Sequence, residues 1–272
     1  MYLSRHQTPN GPRWALDGQF LPASFDLGVL LEQPSAALPA FLAALPRSEA
    51  AADALLAPVE ADQEVWAAGV TYLRSREARE AESTQKDVYT RVYESKRPEL
   101  FFKSVGWRVV GHAAPIRIRK DSAWNVPEPE LVLVINSRGE IVGYSVGNDV
   151  SSRDIEGENP LYLPQAKVYT GSCALGPGIV LTAPATLRDL PVQIGIQRDG
   201  QRVFEGETRT SRMKRTPEEL AGYLTLELSF PRGVLLFTGT GIVPPAEFTM
   251  QRGDLVSIRL AEQLLENTVA AD

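Results

Sequence analysis

The stretch from Glu128 to Lys167 constrains this chain most, because it reads as two strands joined by a short turn, with acidic residues at the outer ends of both. The first strand is LVLVI, the turn is NSRG, and the second strand is EIVGYSVG. Side chains alternate along a strand, so Glu128 and Glu130 point to the same side. A short hairpin loop pairs position i with a position near 276 − i, which predicts Glu128 opposite residue 147 or 148 and Asp149 beside it.

Three carboxylates are therefore predicted to meet at one end of this hairpin. Without a partner they would repel one another and raise one another's pKa. A hard divalent cation takes oxygen ligands and removes that repulsion. We predict that Glu128, Glu130 and Asp149 bind Mg²⁺, with Mn²⁺ or Ca²⁺ as alternative ions. A solvated acidic strand end is the other interpretation, and the apolar residues between the acidic ends make it the weaker one.

Charge and cysteine content limit the classes of partner. The 272 residues carry a formal charge of −6 and contain no basic stripe, so a small molecule is expected as partner and nucleic acid is not. The single cysteine rules out an intrachain disulfide and fits a cytoplasmic location. The first residues contain no apolar signal region, and no apolar run reaches the length of roughly 18 residues that a membrane helix needs.

The order of sequence patterns predicts a mainly β (α+β) protein. Residues 1–65 read as a small N-terminal α+β subdomain, with a hairpin turn at Asp17-Gly18 and a short helix within residues 35–45. Residues 66–272 read as the catalytic domain, which is rich in strands and contains a charged helical segment over residues 73–97. Regular alternation of strands and helices is absent, so a doubly wound sheet is not expected.

Several short motifs do not carry chemistry here. GYSVG at residues 143–147 matches the nucleophile elbow of serine hydrolases, but that motif needs a later histidine, and His6 and His112 both precede Ser145. GTG at residues 239–241 lacks the third glycine of a dinucleotide-binding loop. Two histidines and one cysteine do not suffice for a typical zinc site.

A series of motifs in fixed order resembles the fumarylacetoacetate hydrolase superfamily. They are Glu128-x-Glu130, GNDVSSRD at residues 147–154, Lys167, LGP at 175–177, TSRM at 210–213 and TGT at 238–240. The resemblance spans roughly residues 66–265. It implies a mixed β-sandwich roll, a Mg²⁺ ion bound by the two glutamates and the aspartate, and a homodimer or homotetramer.

One departure from the family pattern bears on the reaction. Its carbon–carbon hydrolases carry N-Y-x-x-H, whose histidine activates water, whereas this chain reads TYLRS and places Ser75 at the histidine position. A serine is no general base near neutral pH without a base of its own. The string SSRDIEGENPLYLPQAK, residues 151–167, resembles instead the 2-keto-3-deoxy-sugar-acid dehydratases of the 2-keto-3-deoxy-D-arabinonate type.

That resemblance implies a lyase of oxidative pentose degradation that converts 2-keto-3-deoxypentonate into 2,5-dioxopentanoate. Lys167 is the first candidate for proton transfer, with a pKa lowered by a neighbouring cation and by burial, or else a purely electrostatic group. Glu99 is a candidate acid or base for the departing hydroxyl, or else a solvated strand end. Arg153 is expected to hold the carboxylate ligands. The candidates for binding the substrate are Arg74, Ser75, Gln165 and Thr240.

Two other functions stay open at this point. One is a carbon–carbon hydrolase, decarboxylase or isomerase acting on a diketo acid, in which Glu77 or Glu80 would hold the reactive water. The other is a non-catalytic protein that binds a keto acid. Turnover of a 2-keto-3-deoxy acid with Mg²⁺ separates the dehydratase from both.

Overall fold

A computed structural model describes residues 1–82 and 86–271 of the protein. These residues form a large ten-stranded sheet, a small four-stranded sheet, a two-stranded sheet that pairs Asn125–Val126 with Ser151–Ser152, and seven short α-helices. The strands are β1 (Tyr2–Thr8), β2 (Gly11–Leu16), β3 (Gln19–Phe20), β4 (Leu55–Leu56), β5 (Glu64–Gly69), β6 (Glu99–Val105), β7 (Asn125–Val126), β8 (Pro129–Ile135), β9 (Ile141–Asp149), β10 (Ser151–Ser152), β11 (Cys173–Leu181), β12 (Pro191–Arg198), β13 (Gln201–Arg209), β14 (Val234–Phe237), β15 (Leu255–Leu260) and β16 (Gln263–Thr268). The helices are α1 (Leu27–Leu31), α2 (Leu38–Ala44), α3 (Leu73–Glu82), α4 (Lys86–Glu94), α5 (Arg153–Glu158), α6 (Leu163–Lys167) and α7 (Pro217–Thr225).

Strand β8 lies in the middle of the large sheet, whose order is β3-β2-β1-β11-β9-β8-β14-β5-β6, with β4 paired to β1. Every residue of β8 and β9 is buried. Leu133 belongs to the core that the large sheet shares with the small sheet, whereas Val134 packs into a second core with Leu30 of α1. Burial on both faces explains why the LVLVI run is continuously apolar.

The small sheet has the order β13-β12-β15-β16 and covers one face of the large sheet. Its inward side chains Ile194 and Ile258 share one core with Leu133 of β8. Two packed sheets with few helices are the predicted mainly-β sandwich arrangement. Among the described residues, none of the helices combines the length and the apolar character needed to cross a membrane.

The N-terminal segment contributes strands to the large sheet. Strand β1 pairs antiparallel with β11, and β2 and β3 continue the sheet from there. Asp17 and Gly18, with φ of 48° and 80°, form the predicted hairpin turn. The boundary at residue 65 stays a prediction.

The β8–β9 hairpin has a register one residue away from the predicted one. Pro129 pairs with Asn148 and Glu130 with Gly147, while an irregularity between Val134 and Ile135 separates these pairs from the turn. Because of this extra residue, Glu128 lies beside Asp149 and not opposite residue 147 or 148: the Asp149 N–H donates to the Glu128 carbonyl at 3.0 Å. The irregularity therefore brings two of the predicted metal ligands directly side by side.

The serine of the GYSVG motif has no nucleophilic role in this fold. Ser145 is buried in β9, and its hydroxyl donates to the carbonyl of Gly178 at 2.8 Å. Gly147, the last glycine of the motif, is required by packing, since a Cβ there would lie 2.2 Å from the Phe237 ring. The motif is part of the core, as the sequence indicates.

Candidate metal centre and active site

The three predicted metal ligands meet at the end of the β8–β9 hairpin. One carboxylate oxygen each from Glu128, Glu130 and Asp149 lies within 4.8 Å of the other two, and all three side chains are buried. The sequence prediction that they converge therefore agrees with the structure. Their role as metal ligands stays a prediction.

Glu130 is the member of this cluster that most needs a cation. It is 2% exposed, and its Oε2 accepts a hydrogen bond from the Gly239 N–H at 2.6 Å. No cationic side chain pairs with it within the part of the chain that the structure describes. Burial, followed by the charges of Asp149 and Glu128, raises the pKa of Glu130 well above its usual value. A bound divalent cation would remove this cost, so the donor set fits a hard ion such as Mg²⁺.

Lys167, at the end of α6, reaches into the same cluster. Its Nζ lies 2.5 Å from Oε2 of Glu128 and 3.2 Å from Oδ2 of Asp149, and donates to the Ser151 hydroxyl at 2.7 Å. Burial lowers the pKa of Lys167, but the carboxylates, Asp149 first, outweigh burial and raise it well above the usual value. These acidic side chains dominate around the ammonium group. The lowered pKa that the sequence predicts for Lys167 beside a bound cation stays a prediction.

A second buried lysine, which the sequence reasoning missed, holds Asp149 from the other side. Lys103 of β6 forms an ion pair with Oδ1 of Asp149. Its Nζ also donates to the carbonyls of Val150 (3.2 Å) and Lys167 (2.5 Å). A lysine directly after the apolar run LFF of β6 was the signal, since a buried lysine needs such partners. Lys103 thus fixes the Asp149 carboxylate and the end of α6.

Glu128 belongs to a closed ring of four charged side chains. Arg79 of α3 and Arg153 of α5 both contact its Oε1, at 2.5 and 2.7 Å. The same two arginines bind Glu156 of α5, through Arg79 Nε at 3.3 Å and Arg153 Nη1 at 2.7 Å. The contact expected of Arg153 with a carboxylate ligand is present. The sequence reasoning did not predict Arg79 or Glu156 as parts of the site. For Arg79, the one indication in the sequence was its i, i+4 spacing from Ser75, which places both on one helix face.

The electrostatics of the ring keep Glu156 ionised. Burial raises its pKa, but the charges of Arg79 and Lys167 lower it, and the net shift is downward. All four members of the ring are buried. Two arginines and two carboxylates in alternation balance one another's charge, so burial is tolerated.

Glu99 and Ser75 line the same cavity as the three metal-ligand candidates. Glu99, at the start of β6, keeps part of its surface exposed, and its carboxylate occupies the space beside Gly69, where a Cβ would lie 2.0 Å from Oε2. Burial and the charge of Glu156 raise the pKa of Glu99 to about 7. A carboxyl group with such a pKa can donate or accept a proton near neutrality.

Thr240 also lines this cavity, next to Gly239, which binds Glu130. Its hydroxyl donates to the carbonyl of Ile242 at 3.2 Å, so it holds its own turn as well. The cavity has a volume of only about 20 Å³, roughly the room of one water molecule.

Two predicted substrate-binding residues lie outside the cavity. Arg74 is exposed and lines a separate groove with Tyr72, because its position on α3 turns it away from the face of Ser75 and Arg79. Gln165 is exposed on α6, about 200° around a helix from Lys167, and its carbonyl accepts a hydrogen bond from Arg119 at 3.1 Å. The structure does not bring either residue to the metal cluster.

The acidic residues that a hydrolytic water would need also lie elsewhere. Glu77 is exposed in the groove of Arg74, and Glu80 pairs with Arg76 at 3.3 Å. Neither lines the cavity that contains Ser75. Within the described residues, Ser75 thus has neither a histidine nor one of these two glutamates to activate it.

Comparison with known proteins gives consistent matches. The family model "Fumarylacetoacetate (FAA) hydrolase C-terminal" matches residues 64–270. A probable 2-keto-3-deoxyxylonate dehydratase of Haloferax volcanii is 50% identical over 206 residues, which are 75% of this chain and 70% of that protein. A 2-dehydro-3-deoxy-D-arabinonate dehydratase of Saccharolobus solfataricus is 43% identical over 203 residues, 73% of this chain and 68% of that protein.

A solved structure matches over almost the whole length. 2-Keto-3-deoxy-D-arabinonate dehydratase complexed with magnesium and 2,5-dioxopentanoate superposes with a TM-score of 0.84 at 32% identity, covering 99% of each chain. Its N-terminal part is included in this match, so residues 1–65 share the architecture. The predicted fold class is confirmed.

Proposed function

The chain belongs to the fumarylacetoacetate hydrolase family, and on this premise we propose that it is a Mg²⁺-dependent dehydratase of a 2-keto-3-deoxy sugar acid. Two relatives of 43–50% identity and the solved structure are sugar-acid dehydratases by name. The sequence-based prediction of a dehydratase is confirmed at this level. The observation in the molecule that carries the proposal is the buried Glu128–Glu130–Asp149 cluster with Lys167 and Glu99 in one cavity.

Glu128, Glu130 and Asp149 are the proposed ligands of Mg²⁺, and Mn²⁺ or Ca²⁺ are alternatives of the same chemistry. Such an ion supplies Lewis acidity: it orients the carboxylate and keto oxygens of a 2-keto acid and makes its C3 protons more acidic. The magnesium complex of the solved dehydratase supports this assignment. Glu130, which has no ion pair among the described residues, gains most from the ion.

The charges around the cavity also suit this substrate. Five carboxyl groups (Glu99, Glu128, Glu130, Asp149 and Glu156) are balanced by four cationic side chains (Arg79, Lys103, Arg153 and Lys167). Full ionisation leaves one net negative charge, which would repel an acid. A divalent cation reverses this to one net positive charge, so a mono-anionic 2-keto acid would make the site neutral.

Lys167 and Glu99 are the proposed proton-transfer groups. Dehydration breaks a C3–H bond and the C4–O bond, forms a C3–C4 double bond and releases water. In this proposal Lys167 Nζ takes the C3 proton, or holds charge beside it, and Glu99 gives a proton to the departing C4 hydroxyl. Loss of a proton from C5 and addition of one at C3 then shift the double bond to C4–C5. This enol gains a proton at C4 as its C5 hydroxyl loses one, which gives the aldehyde of 2,5-dioxopentanoate.

Ser75 and Thr240 are the proposed contacts for substrate oxygens, because both line the cavity. Arg74 and Gln165 are not part of the proposal, since their side chains are exposed and lie outside it. The hydrolase alternative loses support because, among the described residues, neither a histidine nor Glu77 or Glu80 lines the cavity of Ser75. No observation favours it over dehydration.

The test is turnover of purified protein with Mg²⁺ and 2-keto-3-deoxypentonate, followed by oxidation of the semialdehyde by a coupled dehydrogenase. We expect conversion that stops when EDTA is added. The control is Glu130→Gln, checked for folding by circular dichroism. No conversion together with good turnover of an acylpyruvate would favour the hydrolase, and Mg²⁺-dependent keto-acid binding without turnover would favour a binding protein.

Assembly and location are further parts of the proposal. A homodimer or homotetramer is the assembly that membership of the family implies. A cytoplasmic location is supported by the free, buried Cys173. Light scattering coupled to size-exclusion chromatography tests the first, and a monomer at micromolar concentration would contradict it.

A further inference from the structure

We propose that Arg79 is a positioning residue, which closes the ring with Glu128, Arg153 and Glu156 and thereby fixes both the Glu128 ligand and helix α3 above the metal cluster. The part of this inference that concerns catalysis depends on the proposed function. The part that concerns metal affinity does not. Arg79 acts through the residues that it holds and has no assigned contact with the substrate.

The geometry of the ring gives each member two partners from different elements. Arg79 comes from α3, Glu128 precedes β8, and Arg153 and Glu156 begin and continue α5. Oε1 of Glu128 contacts Arg79 at 2.5 Å and Arg153 at 2.7 Å. Its Oε2 contacts Lys167 and neither arginine. The ring therefore sets which oxygen of Glu128 is presented to a cation.

Arginine is the side chain that this position requires. Arg79 contacts Glu128 through Nη2 and Glu156 through Nε, so one planar group spans two carboxylates. Lysine carries the same charge on a single nitrogen and cannot reproduce this fork. Arg79→Lys thus removes the geometry while it keeps the charge.

The second consequence concerns Ser75. It lies one turn before Arg79 on the same face of α3, and it is buried at the cavity. Because Arg79 binds Glu128 and Glu156, it holds this face of α3, and with it Ser75, at the cavity. Ser75 occupies the sequence position at which the hydrolases of the family carry their histidine. The ring therefore links the metal cluster to the residue that departs from the hydrolase pattern.

The experiment is a double-mutant cycle on the affinity of the full chain for Mn²⁺ alone, measured by calorimetry. Arg79→Lys and Glu156→Gln are each expected to weaken Mn²⁺ binding about tenfold, as is usual for partners of metal ligands. Members of one network are not additive, so the double variant should also lose about tenfold. Glu156→Gln lies on another helix and serves as second variant if Arg79→Lys does not fold.

The matched control is Arg76→Lys on the same helix. Arg76 pairs with Glu80 (3.3 Å) and Glu94 (3.7 Å) outside the ring, so its variant should bind Mn²⁺ as the parent does. The inference would be overturned if Arg79→Lys changed Mn²⁺ affinity no more than the control does. It would also be overturned if the double variant lost about a hundredfold in Mn²⁺ affinity, the product of the two single losses. Coupled Mn²⁺ binding without any dehydration would leave this inference standing and reject the proposed function instead.

A second readout tests the placement of Ser75. In the parent, Ser75→Ala should raise KM by roughly tenfold, and in the Arg79→Lys background it should add less than twofold, because a displaced Ser75 no longer contacts the substrate. A merely stabilising salt bridge predicts equal effects in both backgrounds. Equal effects would therefore also contradict the positioning role.

Discussion

Lys167 and Glu128, 39 residues apart in sequence, form a buried ion pair with 2.5 Å between Nζ and Oε2. The same Nζ is 3.2 Å from Asp149, so Lys167 pairs with two of the three carboxylates. Glu130 has no ion pair among the described residues. A buried charge with no partner is costly, whereas a paired one is tolerated. This division of partners underlies the predictions on Glu130 and Lys167.

Glu130→Gln should separate metal binding from folding. The amide keeps the shape but removes the one carboxylate of the cluster that has no ion pair among the described residues. We expect Mn²⁺ affinity to fall by about 100-fold or more, since a ligand and not only its partner is lost. The melting temperature in EDTA at pH 7.5 should rise, because burial has raised the pKa of Glu130 and ionisation therefore costs stability. Unchanged Mn²⁺ affinity would reject Glu130 as a ligand.

Lys167→Arg tests whether Lys167 moves a proton. Arginine keeps the positive charge beside Glu128 and Asp149 but is not deprotonated in proteins. We expect kcat to fall by roughly 10²-fold or more while Mn²⁺ affinity changes little. Lys167→Met, which removes the charge as well, should also lose kcat, whereas its Mn²⁺ affinity should not fall, because the ammonium group that repels the ion is gone. If Lys167→Arg keeps kcat within tenfold of the parent, the role of Lys167 is electrostatic.

The convergence of the three hairpin carboxylates could be predicted from sequence, because side chains alternate between the two faces of a strand. Glu128, Glu130 and Asp149 needed only alternation and one short turn. The pairing register of the two strands could not be predicted, since an irregularity between Val134 and Ile135 shifts it by one residue. Nothing in a run of apolar residues marks such a shift.

The ring around Glu128 could not be predicted in the same way. Arg79 lies 49 residues before Glu128, on a helix so rich in charge that it reads as a solvated face. Which face of α3 meets β8 depends on packing between elements, and that packing leaves Arg79 buried and Arg74 exposed. For the same reason Gln165, two residues from Lys167, was placed in the site although α6 turns it outwards.

Glu99→Gln should change stability in a pH-dependent manner. The pKa of Glu99 is about 7 in the folded chain, against 4.5 as its ordinary value, because of burial first and then Glu156. The folded state thus holds the proton more tightly, and stability is lost as pH rises from about 4.5 to 7. The amide does not ionise, so the variant should match the parent at pH 4 and exceed it at pH 8 by at most about 3 kcal/mol in the free energy of unfolding.

The measurement for Glu99 is urea denaturation at both pH values, with Glu77→Gln as control. Glu77 is exposed and lies outside the cavity, so its variant should follow the parent at both pH values. A Glu99→Gln variant that is no more stable than the parent at pH 8 would show that Glu99 ionises freely. It would then be a poor proton donor to the leaving hydroxyl near neutral pH.

Exchange of C3 protons should separate the two halves of the reaction. 2-Oxobutyrate has the carboxylate, the keto group and the C3 protons of the substrate but no C4 hydroxyl, so it can lose a C3 proton without eliminating water. In D₂O with Mg²⁺, we expect the protein to speed loss of its C3 signal in proton NMR. Glu130→Gln and Lys167→Arg should abolish this exchange, because they remove the metal ligand and the proposed base. Glu99→Gln should retain it while losing dehydration, since Glu99 serves only the departing hydroxyl; loss of exchange in Glu99→Gln would place Glu99 in the first step instead.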